Sequence, residues 1–443
     1  MNKRLWLVAS LLLCSGCCAL IYQIGWLREF RLIFGASTAA SAAVLAIFIG
    51  GLGIGGLVLG DRADAQKRPI LFYAQLETVV AISAAATPFL LSFVRTLYIA
   101  AGGTARVGLF FGTIARLVLS AVVLAVPTIA MGGTLPAAAR GVTRARDAGR
   151  HAVATLYGIN TLGAVVGCFG ATFVLLELFG TRRTLWLAAG LNLVIAVLAR
   201  QLDRSLDYGE QETAPEVRES MAPATFVLTA SAIVGFAFFL MELVWYRMLG
   251  PLLGGSVFTF GLILAVALVG IGIGGLLYAM GSEERPATLS AFAWSCLLEA
   301  MAMAIPFALG DRLAILALVL QPLGHAAFNA QVAGWTAVTL IVVLPPAVVA
   351  GYQFPLLIAL LGRGPARVGR QIGLTYITNT IGAIVGSLAG GFGLLPWLSA
   401  PGAWRFVGAC LIVLGAAAIW LTATRERRFP VPQTAVAAVT IAL

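Results

Sequence analysis

The chain has 443 residues, 60% of them hydrophobic and only 11% charged, with a mean hydropathy of +0.98. A soluble chain of this length would carry roughly a quarter charged residues, so a soluble globular domain is excluded and a polytopic helical membrane protein is read in its place. The formal charge of +11 fits loops facing anionic lipid headgroups and requires no nucleic acid.

Apolar runs recur along the whole chain, each near the roughly 20 residues that a helix needs to cross a bilayer. They predict twelve spans, at 5–27, 36–59, 71–93, 107–130, 152–177, 184–199, 223–246, 256–280, 287–309, 332–350, 371–394 and 404–422. Nineteen of the 29 Lys and Arg residues lie at the N-terminus or in loops after even-numbered spans, nine lie on the other side, and Arg116 lies inside a span. By the positive-inside bias, both ends of the twelve-span unit are expected in the cytoplasm of a bacterial inner membrane.

The first span follows Lys3 and Arg4. Its "LLLCSGCC" (Leu11–Cys18) resembles a lipoprotein signal, but Cys14 stands where such a signal has Leu, and the segment has a counterpart in the seventh span, so it is kept as a fold element. All six cysteines fall in apolar spans, which suits packing and not a disulfide framework. Near the outer ends of the first and seventh spans stand Gln23, Trp26 and Arg28, and Glu242, Trp245 and Arg247. Trp and Arg there read as interface anchors, whereas Glu242 is an acid able to receive a cation.

The second span carries "GLGIGGL" (Gly51–Leu57) and the eighth carries "GIGIGGL" (Gly270–Leu276). Each fits the G-x-G-x-x-G fingerprint of a dinucleotide loop, but that loop needs a preceding strand and a βαβ unit, and these glycines lie inside apolar spans. They read as a small-residue seam for close helix packing, with Gly51/Gly55 and Gly270/Gly274 each on one helix face.

Ionisable groups at membrane depth are costly and therefore informative. Glu77 lies toward the cytoplasmic end of the third span, Arg116 near the middle of the fourth and Glu299 near the middle of the ninth. Glu77 and Arg116 are either a structural pair or part of a substrate or proton-coupling site. In the fifth span Tyr157, Asn160 and Thr161 share one face, as do Tyr376, Asn379 and Thr380 in the eleventh. These faces either line a central cavity from both sides or bond neighbouring helices. The two histidines, His151 and His325, offer no metal cluster, and neither a cofactor nor a catalytic constellation is expected.

One constant offset, the step from Gly51 to Gly270, relates the Gly-rich stretches. The same offset relates Trp26 to Trp245, Pro127 to Pro346, Tyr157 to Tyr376 and Asn160 to Asn379. It marks an internal duplication. Six spans is an even number, so the copies enter the membrane in the same direction, as in major facilitators, which carry substrate between their halves. The expected fold is therefore all-α, about 12 transmembrane helices in two parallel six-helix repeats. The halves are 1–200 and 223–428, with a cytoplasmic linker at 201–222 and an apolar tail at 429–443.

"ALIYQIGWLREFRLIFG" (Ala19–Gly35), "PTIAMGGTLP" (Pro127–Pro136) and "LYGINTLGAVVG" (Leu156–Gly167) resemble the membrane region of bacterial spermidine-synthase-like membrane proteins, the fused major facilitator/spermidine synthase family. "GLVLGDRADAQKRP" (Gly56–Pro69) is similar to the loop motif after the second helix of major facilitators, carried by Gly60, Asp61 and Arg62; Met280 stands where Asp61 would repeat. The resemblance implies an aminopropyltransferase-like domain after the helices. No such pattern follows Arg428, and the sequence is expected to be a fragment of a longer polypeptide or else to end in a short apolar anchor. Two functions follow as expectations. One is a transporter-like domain for a small, cationic, polyamine-like metabolite, using the candidates Glu77, Arg116, Glu299, Gln23, Glu242 and the two Tyr–Asn–Thr faces. The other is a membrane platform for a fused or associated synthase domain.

Overall fold

The computed structural model describes residues 3–34, 38–100, 108–143, 150–206, 222–255, 257–281, 287–362 and 367–426. The centre of the predicted linker, the tail, and the side chain of Arg116 lie outside the described residues. With no water in the hydrocarbon layer, each spanning segment must satisfy its own backbone groups, and a helix does so within itself. The apolar runs are accordingly helical, and no strand occurs among the described residues.

In the first half the spans are Lys3–Phe34, Thr38–Ala65, Pro69–Ala100, Leu109–Gly132 (continued by Thr134–Val142), His151–Gly170 and Leu176–Arg204. In the second they are Ala224–Leu249, Val257–Ala279, Leu289–Leu309, Phe328–Leu361, Val368–Ala389 and Leu395–Glu426. Among the described residues, eleven stretches are long and apolar enough to cross a membrane, and one of them, His151–Arg204, runs for 54 residues. A helix that long would reach about 80 Å, far beyond the roughly 30 Å hydrocarbon core. It is broken at Gly180, whose φ of 68° and ψ of 172° are non-helical, and so supplies the fifth and sixth spans.

The duplication reappears in backbone irregularities that the sequence does not announce. A π-helical turn follows the fifth span at Ala171–Leu175, and its counterpart under the repeat offset, Gly390–Leu394, follows the eleventh. Ser399 is the repeat mate of Gly180 and repeats its break, with φ 60° and ψ 173°. The two segments share the backbone path but little sequence, so this path belongs to the fold.

Packing within each half follows one scheme. The first span lies against the fifth, the second against the fourth and the third against the sixth; seventh on eleventh, eighth on tenth and ninth on twelfth repeat it. The halves meet through second on eleventh and fifth on eighth. These two contacts exchange under the repeat, as a pseudo-twofold axis along the membrane normal requires.

The Gly-rich stretches serve both levels. A Cβ on Gly55 would strike the Ile129 carbonyl oxygen, and one on Gly274 would strike that of Val348, so these faces seat the fourth and tenth spans. On the opposite side Gly56 and Gly60 cross Gly373 and Gly369 of the other half at backbone contact. The predicted seam is therefore present and double-sided.

One placement is corrected. Trp26 and Trp245, expected as interface anchors, are both fully buried, and the Trp26 indole donates to Thr87 Oγ1 at 2.9 Å. The first and seventh spans continue to Phe34 and Leu249, beyond the predicted ends, so residues assigned to the outer interface lie deeper inside the bundle.

Candidate functional site: the cavity between the halves

A cavity of about 280 Å³ lies where the halves meet. The fifth and eleventh spans supply Tyr157, Asn160 and Thr161 from one side and Tyr376, Asn379 and Thr380 from the other. All six predicted face residues therefore reach one wall. Two of them also bond within the protein: Thr161 Oγ1 donates to the Tyr157 carbonyl (2.9 Å), and Asn379 Nδ2 donates to the Ser231 carbonyl of the seventh span (3.1 Å). Cavity lining and interhelical bonding, set as alternatives by sequence, coexist.

The spans can approach closely here because Gly16 of the first span sits on the Asn160 carbonyl and Gly235 of the seventh sits on that of Asn379. These two glycines are themselves repeat mates. The repeat offset holds that signal, which sequence reasoning missed.

Gln23 and Glu242 also face the cavity, as repeat mates on the first and seventh spans. Glu242 is 5% exposed, and its carboxylate has no hydrogen-bond or ion-pair partner among the described residues. It is the one charged side chain in the described wall. The remainder is largely apolar and aromatic: Phe238 and Phe239 stand one turn before Glu242, with Phe48, Phe260 and Phe354 around them. No sequence pattern marked these phenylalanines, since Phe is ordinary in an apolar span.

Glu77 and Glu299 do not line the cavity. Glu77 is buried among the first, third and sixth spans, where Ser15 Oγ donates to Oε1 at 2.6 Å and Asn192 Nδ2 donates to Oε2. Asn192 Oδ1 in turn accepts from the Tyr22 hydroxyl at 2.8 Å. Ser15 borders the cavity, so this network touches the wall only through that hydroxyl. Glu299 is fully buried within the second half, and among the described residues both of its oxygens lack a hydrogen-bond partner. Gln353 of the tenth span approaches Cys296, one turn before it, with Nε2 3.9 Å from Sγ. Arg116 belongs to the fourth span, but a Glu77–Arg116 pair falls outside the described side chains.

At the end of the bundle carrying the even-numbered loops, contacts between halves form a layer. Tyr157, Phe354 and Tyr376 pack ring to ring across it, with centroids 4.8 and 5.8 Å apart. Further out, Asp64 accepts the backbone N–H groups of Gly369 and Arg370, both at 2.9 Å, at the start of the eleventh span. Arg140 of its own half lies 3.9 Å from the same carboxylate, and the Arg150 guanidinium donates to Gln371 Oε1. Of the predicted loop motif, Gly60 is at the helix crossing, Asp61 makes an exposed 3.8 Å pair with Arg370, and Arg62 is exposed. The carboxylate that caps the eleventh span across the halves is Asp64, three residues past Asp61, whose own cross-half pair with Arg370 is exposed.

No family model and no curated protein matches the chain. Solved structures do match it. A bacterial homologue of the iron transporter ferroportin, in an outward-facing state, is similar over 95% of this chain and 100% of that one, with 15% identity and a TM-score of 0.61. The major facilitator proton:xylose symporter XylE covers 96% of each chain at 12% identity and a TM-score of 0.55. The E. coli fucose:proton symporter FucP covers 94% of this chain and 97% of its own at 16% identity, TM-score 0.55. At this identity the likeness establishes the fold: two parallel six-helix repeats of the major facilitator type, embedded in lipid.

Proposed function

We propose that the chain is a membrane transporter that moves a small cationic solute through the cavity between its halves, with Glu242 as the charged anchor. The carrying observation is the unpaired, buried Glu242 carboxylate in a wall contributed by both repeats. A carboxylate held out of water without a partner is unfavourable unless something compensates it, and a cation entering the cavity would do so. A rocking motion of the halves about this site would expose it to each side in turn. The Lys and Arg bias supports a cytoplasmic position for the Asp64 end and for both ends of the twelve-span unit.

The three stretches that carry the family resemblance all contribute wall residues, among them Gln23, Pro136 and Asn160. This supports solute handling over a role as a passive platform for a synthase. Polyamine-like chemistry is the solute class that the resemblance suggests.

The test is flux of labelled organic cations, spermidine and putrescine included, into proteoliposomes. Wild-type protein is expected to carry a cation, and Glu242→Gln is expected to lose at least tenfold in initial rate while still inserting and melting normally. Equal flux in the two proteins would overturn Glu242 as the anchor; no flux of any cation would overturn the transporter reading.

A further inference from the structure

We infer that the solute is an amphipathic organic monocation, its single onium group held at Glu242 against aromatic faces and its apolar body filling the rest of the cavity. This deepens the reading above and rests on it.

Charge count comes first. Among the described residues the wall contains one carboxylate and no Lys, Arg or His. The repeat gives Glu242 a mate at the equivalent place in the other half, and that mate is Gln23. The fold thus offers two symmetric positions for acids and fills only one. An ammonium group facing a neutral, largely apolar wall loses its hydration without gaining a counter-charge. A triamine or diamine would carry at least one such group, whereas a monocation carries none. Anions lack any positive partner here.

Aromatic placement comes second. Phe238 and Phe239 precede Glu242 by four and three residues and so lie one helical turn away on neighbouring faces. Phe260 of the eighth span lines the same wall, and its ring is 5.6 Å from that of Tyr246, one turn beyond Glu242. Ring faces attract cations through their quadrupole, most strongly where water is excluded, and carboxylate plus aromatic rings is a combination that holds alkylated onium groups. A hydrophilic polyamine gains little from such rings along its length; an aryl or alkyl body gains burial.

Neutral polar groups come third. The Asn379 amide is partly committed to the bundle through its bond to the Ser231 carbonyl, and Asn160 in the same wall is neutral as well. They can meet one hydrogen-bonding substituent but not a second charge. At about 280 Å³ the space suits one small molecule of this kind, near the lower end of the range for ligand pockets.

The experiment measures binding of benzyltrimethylammonium, spermidine and putrescine to the purified full chain in nanodiscs by calorimetry, beside the flux assay. The expected order is benzyltrimethylammonium at least tenfold tighter than either polyamine, with Glu242→Gln weakening it at least tenfold. Gln23→Glu restores the second acid that symmetry allows, and is expected to raise putrescine affinity at least tenfold. Tighter binding of spermidine or putrescine by the wild type would overturn the monocation assignment while leaving a cation transporter in place. Absence of both binding and flux for every cation would overturn that reading as well. The wild-type ranking decides the assignment even if a variant fails to fold.

Discussion

The Asp64 carboxylate, at the end of the second span, caps the eleventh span of the opposite half by accepting the Gly369 N–H at 2.9 Å, and it takes the Arg370 N–H at the same distance. These are the second and third residues of the helix Val368–Ala389, the positions whose N–H groups an N-cap side chain normally satisfies. Here the cap comes from the other half, because the residue at the cap position, Arg367, supplies no side-chain bond. A negative group at a helix N-terminus also meets the positive end of its dipole. Asp64 is thereby one of the ties that close this end of the bundle, beside the Arg150–Gln371 bond and the glycine crossing.

Asp64→Ala is expected to release that end. An N-cap is worth about 1 kcal/mol, enough for roughly a fivefold shift between conformations. Spin labels near the ends of the second and eleventh spans should show a longer distance population by pulsed electron resonance. Asp61→Ala removes only a half-exposed pair with Arg370, a type that contributes little, and should leave the distribution unchanged. Identical behaviour of the two variants would remove Asp64 from this role.

The two buried acids away from the cavity should respond in opposite ways to the same substitution. Glu77→Met strands the Ser15 and Asn192 donors, and an unmet buried partner costs about 1–3 kcal/mol. Its melting temperature in detergent should fall by several degrees. Glu299→Met removes two oxygens that have no hydrogen-bond partner among the described residues and puts an apolar side chain of similar length in their place, so melting should hold or rise. Equal losses would show that Glu299 is better satisfied than its surroundings indicate.

Close approach at the glycine seam predicts steric failure at specific positions. Gly55→Ala and Gly274→Ala each drive a methyl group into a neighbouring carbonyl and should reduce the yield of folded protein sharply. Gly190→Ala meets nothing within 4 Å among the described residues and, in the middle of the sixth span, should be neutral or mildly stabilising. Fluorescence-detected size-exclusion profiles compare the three directly.

The break repeated at Gly180 and Ser399 sets up a reciprocal pair. Ser399 holds φ 60° and ψ 173°, a region essentially reserved for glycine and costing about 1–3 kcal/mol for other residues. Ser399→Gly should therefore raise the melting temperature and Gly180→Ser should lower it. A fall for Ser399→Gly would mean that the serine compensates through contacts of its own.

The Tyr–Asn–Thr faces show how far sequence reached into the site. Their common periodicity and common offset made a shared cavity lined by Tyr157, Asn160, Thr161, Tyr376, Asn379 and Thr380 one of two readings, the other being bonds between neighbouring helices, and all six line one cavity. The three acids at depth were less tractable. In one dimension Glu77, Glu242 and Glu299 look alike, each a costly residue in an apolar run. Glu77 and Glu299 turn into the interior of their own half, and Glu242, assigned to the outer interface, turns into the space between halves.

By itself, then, the sequence determined that the chain crosses the membrane about twelve times and that it does so as two like-directed copies. The bilayer imposes length and apolarity on each span separately, and a duplication leaves its offset in the residue order, so both are local or one-dimensional properties. Tertiary structure alone decided which acid faces the cavity between the halves, that Asp64 caps the eleventh span across them, and that Trp26 and Trp245 are core. A helix in this fold has several buried faces, toward its own half or across to the other, and apolar surroundings on all of them erase the amphipathic contrast that would tell them apart.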